Sequence, residues 1–312
     1  MTAIAMAPST RDAGGQTANA AMADDGRWRW LTFTPAAVLM LAFSVLPVVN
    51  LFVLSFLDVS WAGGKAIYQT AGLTHYAALP GDKLFQAGLL NTFVFAIFAV
   101  AGQMVVGFSL ALLTSNTTRG RVLYRTIFIL PILIPGIVIG AIWKLMYQPD
   151  FGLINQILGL VGLGPFTWLQ SASTALLSVI LVDIWHWMPF CFLLFLASLE
   201  SLPQDVYEAA KLDGASPLQQ LRHITLPLMM PTILVTLMFR IIVAFKVFDE
   251  IYLLTSGGPG TSTEVLSFTI YQRFFTENRI GFGAAMSVAV LFLVAMLLVL
   301  SMSARRRTEG TA

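Results

Sequence analysis

Apolar residues dominate six long stretches of this 312-residue chain, at roughly 30–57, 87–114, 122–147, 174–199, 227–254 and 282–303. Each is long enough to cross the hydrocarbon core of a bilayer, which takes about 20 residues as a helix. In lipid the backbone must satisfy its own hydrogen bonds, so each stretch is predicted to be helical. The runs are continuous rather than alternating, which excludes a transmembrane β-barrel. The pattern therefore predicts an all-α polytopic membrane protein with six transmembrane helices. Residues 1–26, rich in Ala, Thr, Asp and Gly and without periodicity, read as a disordered tail. The first apolar run, Trp30 to Leu57, is too long for the roughly 7–15-residue apolar region of a signal peptide. The chain then divides into a first transmembrane helix with its outer loop (27–86), a core of five helices (87–303) and a basic tail (304–312).

Composition agrees with the pattern. Hydrophobic residues make up 57% and charged residues 11%, whereas a soluble domain carries about a quarter charged. A net charge of +2 gives no basis for nucleic-acid binding. The single cysteine, Cys191, lies in an apolar run and reads as a small buried hydrophobe. Three histidines, with no CxxC or HExxH, provide no recognisable metal site. No GxxxxGK[ST] phosphate loop is present, so nucleotide energy, if used, is bound by another chain. Pro35, Pro47, Pro131, Pro135, Pro189 and Pro231 fall inside apolar runs and predict kinks, which suit a bundle around a cavity.

Basic residues set the expected topology. With the N-terminus inside, Arg11, Arg27, Arg29, Arg119, Arg121, Arg125, Lys211, Arg222 and Arg305 to Arg307 are cytoplasmic. Only Lys65, Lys83, Arg273 and Arg279 fall outside. Both termini and the 201–227 loop are thus expected in the cytoplasm.

That loop contains "EAAKLDGASPLQQLRHITLP", residues 208–227. It reads as two short helices joined by a tight corner. Ser201 is a cap for the first, Pro203 suits its first turn and Asp205 its positive end. Gly214 supplies a residue able to take positive φ, and Ser216-Pro217 repeats the start signal. Val206, Ala209 and Ala210 share one small face. Leu218 and Leu221 form a second apolar pair, and Glu208, Lys211, Asp213 and Arg222 surround them with charge. A small apolar centre inside a polar rim suits docking to another protein.

Glu208-Ala209-Ala210, Gly214 and Ile224-Thr225-Leu226-Pro227 at these separations resemble the EAA loop of ABC importer permeases. The resemblance covers roughly 85–303 and is to carbohydrate-type importers with the type I permease fold. There the EAA loop seats a coupling helix in a groove of the ATPase subunit. By that resemblance Glu208, Ala209, Ala210, Asp213, Gly214 and Pro227 carry the ATPase contact. Residues 244–275, "AFKVFDEIYLLTSGGPGTSTEVLSFTIYQRFF", are similar to the fifth helix and outer loop of the first permease of maltose-type systems. The implied partners are a homologous second permease, two ATP-binding-cassette ATPase subunits that bind ATP and Mg, and an extracytoplasmic solute-binding protein, all at a bacterial inner membrane. This chain itself then holds no cofactor and contacts membrane lipid. The resemblance is not expected to extend to the extra N-terminal helices and large outer domain of the maltose-type protein, so that protein's sugar site is not expected to transfer.

Ionisable groups inside a membrane usually face a partner or a cavity. Asp183 and His186 lie in the fourth run beside Trp187, and Arg240, Lys246, Asp249 and Glu250 in the fifth. Helical depth brings Asp183 and Arg240 to one level, with Arg240 expected to pair with Asp183. Lys246 is expected to reach Asp249 and Glu250 at i+3 and i+4. Internal charge pairing is one reading. The other is a polar cavity in which carboxylates meet sugar hydroxyls and Trp187 and Tyr252 cover C–H surfaces. A carbohydrate-importer permease, not an enzyme, is the reading these features favour. An ion-coupled secondary transporter would use Asp183, Lys246 and Asp249 but leaves the EAA loop unexplained, and a peptide or other polar cargo is a further alternative. No nucleophile–base pair supports an enzyme.

Overall fold

The computed structural model describes residues 12–115 and 120–309, most of them helical. Residues up to Leu54 and those from Ser55 onward form two compact units. The first is helix α1, Asp12–Ser55, whose stretch Trp30–Ser55 is apolar enough to cross a membrane. The structure differs from the expected tail here, because the helix reaches back to Asp12. Alanine is the strongest helix former, and "TANAAMADD" extends a helix already nucleated by the apolar run. Residues 1–11 of that tail lie outside the described residues, as do Asn116 to Arg119 and the last three residues.

The second unit opens with an antiparallel hairpin, β1 (Leu57–Ala62) and β2 (Lys65–Thr70), turning at Gly63-Gly64. Its principal helices are α2 (Lys83–Ser115), α3 (Arg121–Ile129), α4 (Gly136–Met146), α5 (Ala175–Glu200), α6 (Gln204–Leu212), α7 (Pro217–Ala244), α8 (Asp249–Leu254), α9 (Leu266–Tyr271) and α10 (Ile280–Glu309). Among the described residues five helices are long and apolar enough to span a membrane, and six if the bent α3–α4 pair is one span.

Two of the expected spans are not straight. The third breaks by 97° between Leu133 and Gly136. Pro135 is the N-cap of α4, with ψ 139°. Its missing N–H and fixed ring end the preceding turn and start the next helix. The fifth span was expected to run to residue 254, but α7 stops at Ala244 and the chain leaves the helix before Asp249.

The core joins α2 to α5. Phe95, Ala99, Val179 and Val182 are fully buried together with Ile251 from α8 and Val265. A second cluster joins Ala111, Phe192, Phe195 and Met229 from α2, α5 and α7. The half-helices α4 and α8 pack directly on each other. A Cβ on Gly140 would stand 2.7 Å from the Leu253 Cβ, so glycine permits this approach.

Candidate transport cavity and coupling corner

Where α3–α4 and α7–α8 break, they leave a cavity of about 430 Å3 against α5. Pro135, Gly136, Phe248 and Val243 line it together with six polar or aromatic side chains expected from the sequence: Asp183, His186, Trp187, Lys246, Asp249 and Glu250. Tyr252 is not among the lining residues. It stacks on Phe248 at 5.5 Å and meets Tyr271 edge-on at 5.7 Å.

The charges are organised from three helices. Asp183 on α5 and Arg240 on α7 are 3% and 0% exposed, and Arg240 Nη2 lies 3.7 Å from Asp183 Oδ2. The expected pairing of these two is therefore present, but as a long contact. Between them sits Gln103 of α2, itself fully buried. Its Nε2 donates to Asp183 Oδ2 at 2.6 Å, and its Oε1 accepts from Arg240 Nε at 2.7 Å. The Arg240 guanidinium carbon lies 4.6 Å from the Trp187 ring centroid, a cation–π contact. Burying such charges is costly unless each is paired and hydrogen-bonded. Gln103 supplies part of that compensation, and the sequence reading passed over it because a lone uncharged amide in an apolar run carries no charge signal.

Glu250 turns to His186 rather than to Lys246: His186 Nδ1 and Glu250 Oε1 are 3.0 Å apart, both side chains nearly inaccessible. The expected i+3 and i+4 pairs of Lys246 do not form. Lys246, Val247 and Phe248 are not helical, so the spacing that places such side chains on one face is lost. Lys246 is exposed and has no ion-pair partner among the described residues. Asp249 lies against the start of α4, its Oδ2 3.0 Å from where a Gly136 Cβ would be. The cavity thus offers carboxylates, a guanidinium, an ammonium and an aromatic face around an otherwise apolar volume, a set able to hold a polyhydroxylated ring. Among the described residues no group of three or more His, Cys, Asp or Glu side chains could hold a metal ion.

A second feature lies apart from the cavity. Helix α6 exposes Glu208 and Ala209, leaves Ala210 half-buried and has no buried residue. Asp205 sits in its first turn. Pro203 is its N-cap and offers no side-chain hydrogen bond, while Ser201 closes α5 instead, its Oγ donating to Ser198 O at 2.8 Å. Those two assignments from the sequence are thereby corrected, since α5 ends at Glu200 and Ser201 falls just beyond it. Asp213 is the exposed C-cap, and Gly214 follows with φ +75°. The N–H of Ala215 donates to Ala210 O and that of Gly214 to Lys211 O, closing a Schellman corner. Ser216 then caps α7 in a capping box with Gln219, and Pro217 takes the first turn.

The second of the two expected short helices is not separate. It continues through a wide π turn, Leu221–Thr225, into the membrane helix, so that span begins at Pro217. Pro227 lies just past this turn. With no N–H of its own and a ring that crowds the carbonyl four residues back, it favours a widened turn there. Tyr207 Oη and Thr225 Oγ1, 2.9 Å apart, tie α6 to the same turn. Arg125 of α3 pairs with Glu200 at the end of α5.

Residues 103–308 match the family described as "Binding-protein-dependent transport system inner membrane component". The chain is 35% identical over 266 residues to the trehalose/maltose transport system permease protein MalF of Thermococcus litoralis, covering 85% of this chain and 89% of that one. It is 34% identical over 266 residues to the sulfoquinovosyl glycerol transport system permease protein SmoG of Agrobacterium fabrum, covering 85% and 86%. Its fold is similar to a chain of a bacterial alginate ABC transporter crystallised with an alginate pentasaccharide-bound periplasmic protein. The TM-score is 0.80 at 24% identity, over 91% of this chain and 97% of that one.

Proposed function

The chain belongs to the family of binding-protein-dependent transport system inner membrane components, and on that premise we propose that it forms the membrane passage of a carbohydrate importer. It is a multi-pass inner membrane permease of a binding-protein-dependent ABC system. Relatives named for trehalose and maltose, sulfoquinovosyl glycerol and arabinooligosaccharides support a sugar cargo. The observation that carries the reading is the exposed helix–corner at Glu208 to Gly214, an ordered and unburied element on an otherwise apolar chain. Its small centre and charged rim suit docking into an ATPase subunit, with Glu208, Ala209, Ala210, Asp213 and Gly214 in the contact and Pro227 shaping the turn behind it.

In this reading the corner and both termini face the cytoplasm, in keeping with the distribution of Lys and Arg. A homologous permease completes the passage, two ATPase subunits bind ATP and Mg, and an extracytoplasmic binding protein delivers the sugar. Asp183, His186, Trp187, Lys246, Asp249 and Glu250 border the cargo's path and make no covalent change to it. The test is uptake of radiolabelled sugar by proteoliposomes containing the complete transporter and its binding protein. Uptake is expected to require ATP and to be abolished by Gly214→Asp while the permease still inserts. Uptake that follows an ion gradient without ATP would overturn the reading in favour of a secondary transporter.

A further inference from the structure

The contact between Arg240 and Asp183 is held open. At 3.7 Å it is too long for a hydrogen bond, although both side chains are buried and a bidentate guanidinium–carboxylate pair is the strong geometry for these groups. Gln103 explains the separation. Its amide reaches both partners at once, donating to the same Asp183 Oδ2 that faces the guanidinium and accepting from Arg240 Nε. Its Nε2 also donates to the Asp183 backbone carbonyl at 3.2 Å, which fixes the amide on α5. The consequence is that both terminal nitrogens of Arg240, Nη1 and Nη2, are buried without a hydrogen-bond partner among the described residues. Leaving charged donors unmatched in a low-dielectric wall is expensive, and a native site that keeps them so calls for an acceptor.

We propose that Gln103 is a positioning residue that wedges the Arg240–Asp183 pair apart and so reserves the two terminal nitrogens of Arg240 for an oxygen of the transported sugar. The inference rests on the cavity being part of the cargo's path, as above. Arg240 lines that cavity, and the Trp187 ring over its guanidinium is half-buried and lines it too. Cargo oxygen reaches the nitrogens when the ring turns aside. The geometry favours a neutral hydroxyl over an anion. The cavity wall carries three carboxylates, from Asp183, Asp249 and Glu250, against the two cations Arg240 and Lys246 and the His186 imidazole that Glu250 holds.

The experiment replaces the wedge with a side chain of similar length but no polar atoms, Gln103→Met, in the complete reconstituted transporter. A cryo-EM structure of the variant is expected to show Arg240 closed onto Asp183 in direct hydrogen bonds. The sugar concentration for half-maximal uptake is expected to rise about tenfold. A pair that stays open in Gln103→Met overturns the wedge. A pair that closes while half-saturation does not move overturns the donor role alone; the importer reading falls only if uptake in the same vesicles does not depend on ATP. Should Gln103→Met fail to assemble, a cryo-EM structure of the wild-type transporter with sugar bound is expected to show a sugar oxygen within hydrogen-bond distance of Arg240 Nη1 or Nη2, and a sugar seated in the cavity away from both nitrogens would contradict the proposal.

Discussion

Replacing Asp183 with Ala would leave the Arg240 guanidinium buried with only Gln103 and the Trp187 face against it. Removing one partner of a buried charge pair costs about 3–5 kcal/mol, whereas replacing both by apolar groups is often neutral. Asp183→Ala is therefore expected to lower the apparent melting temperature of the purified permease clearly, and Asp183→Ala/Arg240→Met to restore most of it; equal loss in single and double variants would argue against the pair as a stability element. Glu264, 2% exposed in the loop before α9, gives a pH-dependent case. Burial raises its pKa above the ordinary carboxylate value of 4.5, against a lowering hydrogen bond from Thr269. The folded state then holds the proton more tightly than the unfolded one. Its contribution is full below the unfolded pKa and is lost as pH rises through the folded one. Glu264→Gln should gain in melting temperature over wild type as pH rises above 4.5, and a difference that is flat with pH would contradict this assignment. Single residues were unevenly legible in the sequence. Asp183, His186 and Glu250 stand out as ionisable groups in apolar runs, but Gln103 does not, and its meaning appears only once α2 packs on α5.

At Gly140 α4 and α8 approach too closely for a Cβ, which would stand 2.7 Å from Leu253 Cβ. Gly140→Val places atoms where the Leu253 side chain already lies, and overpacking of this kind costs about 1–3 kcal/mol. The variant should therefore show faster hydrogen exchange in both half-helices than in α2 and α5; exchange unchanged in α8 would mean the two do not support each other. At this scale the sequence was informative about where spans lie and less so about where they break. Pro135 signalled a kink but not its 97° size, which depends on α4 turning to meet α8. "AFKVFDE" contains neither Gly nor Pro, so nothing local announced the end of α7 at Ala244, and the expected Lys246 pairs failed for that reason. The helix–corner at 204–216 was the most legible element. Positive φ at Gly214, the cap at Ser216 and the charge at Asp205 are all set by short-range chemistry. The hairpin at 57–70 carries its own local signal, two glycines between two short segments, which is separate from the pattern of long apolar runs.

The whole molecule carries two separate features: an exposed corner that another chain can grip, and a cavity walled by broken helices. Arg125 and Glu200 pair α3 with the end of α5 beside that corner, and α3 leads through the Pro135 break to the cavity wall. The membrane class and the broad function could be read from composition and motif. The cavity's wiring could not, because it depends on contacts between residues as far apart in sequence as Gln103 and Arg240. The most direct measurement is disulfide crosslinking in the assembled transporter, with buried Cys191 changed to Ser and single cysteines placed in turn at Ala209 and at exposed Arg279. Ala209→Cys is expected to crosslink to cysteines in the ATPase subunit with a yield that changes on adding ATP, and Arg279→Cys to give none. ATPase crosslinks from position 279 and not from 209 would contradict the coupling role of the corner.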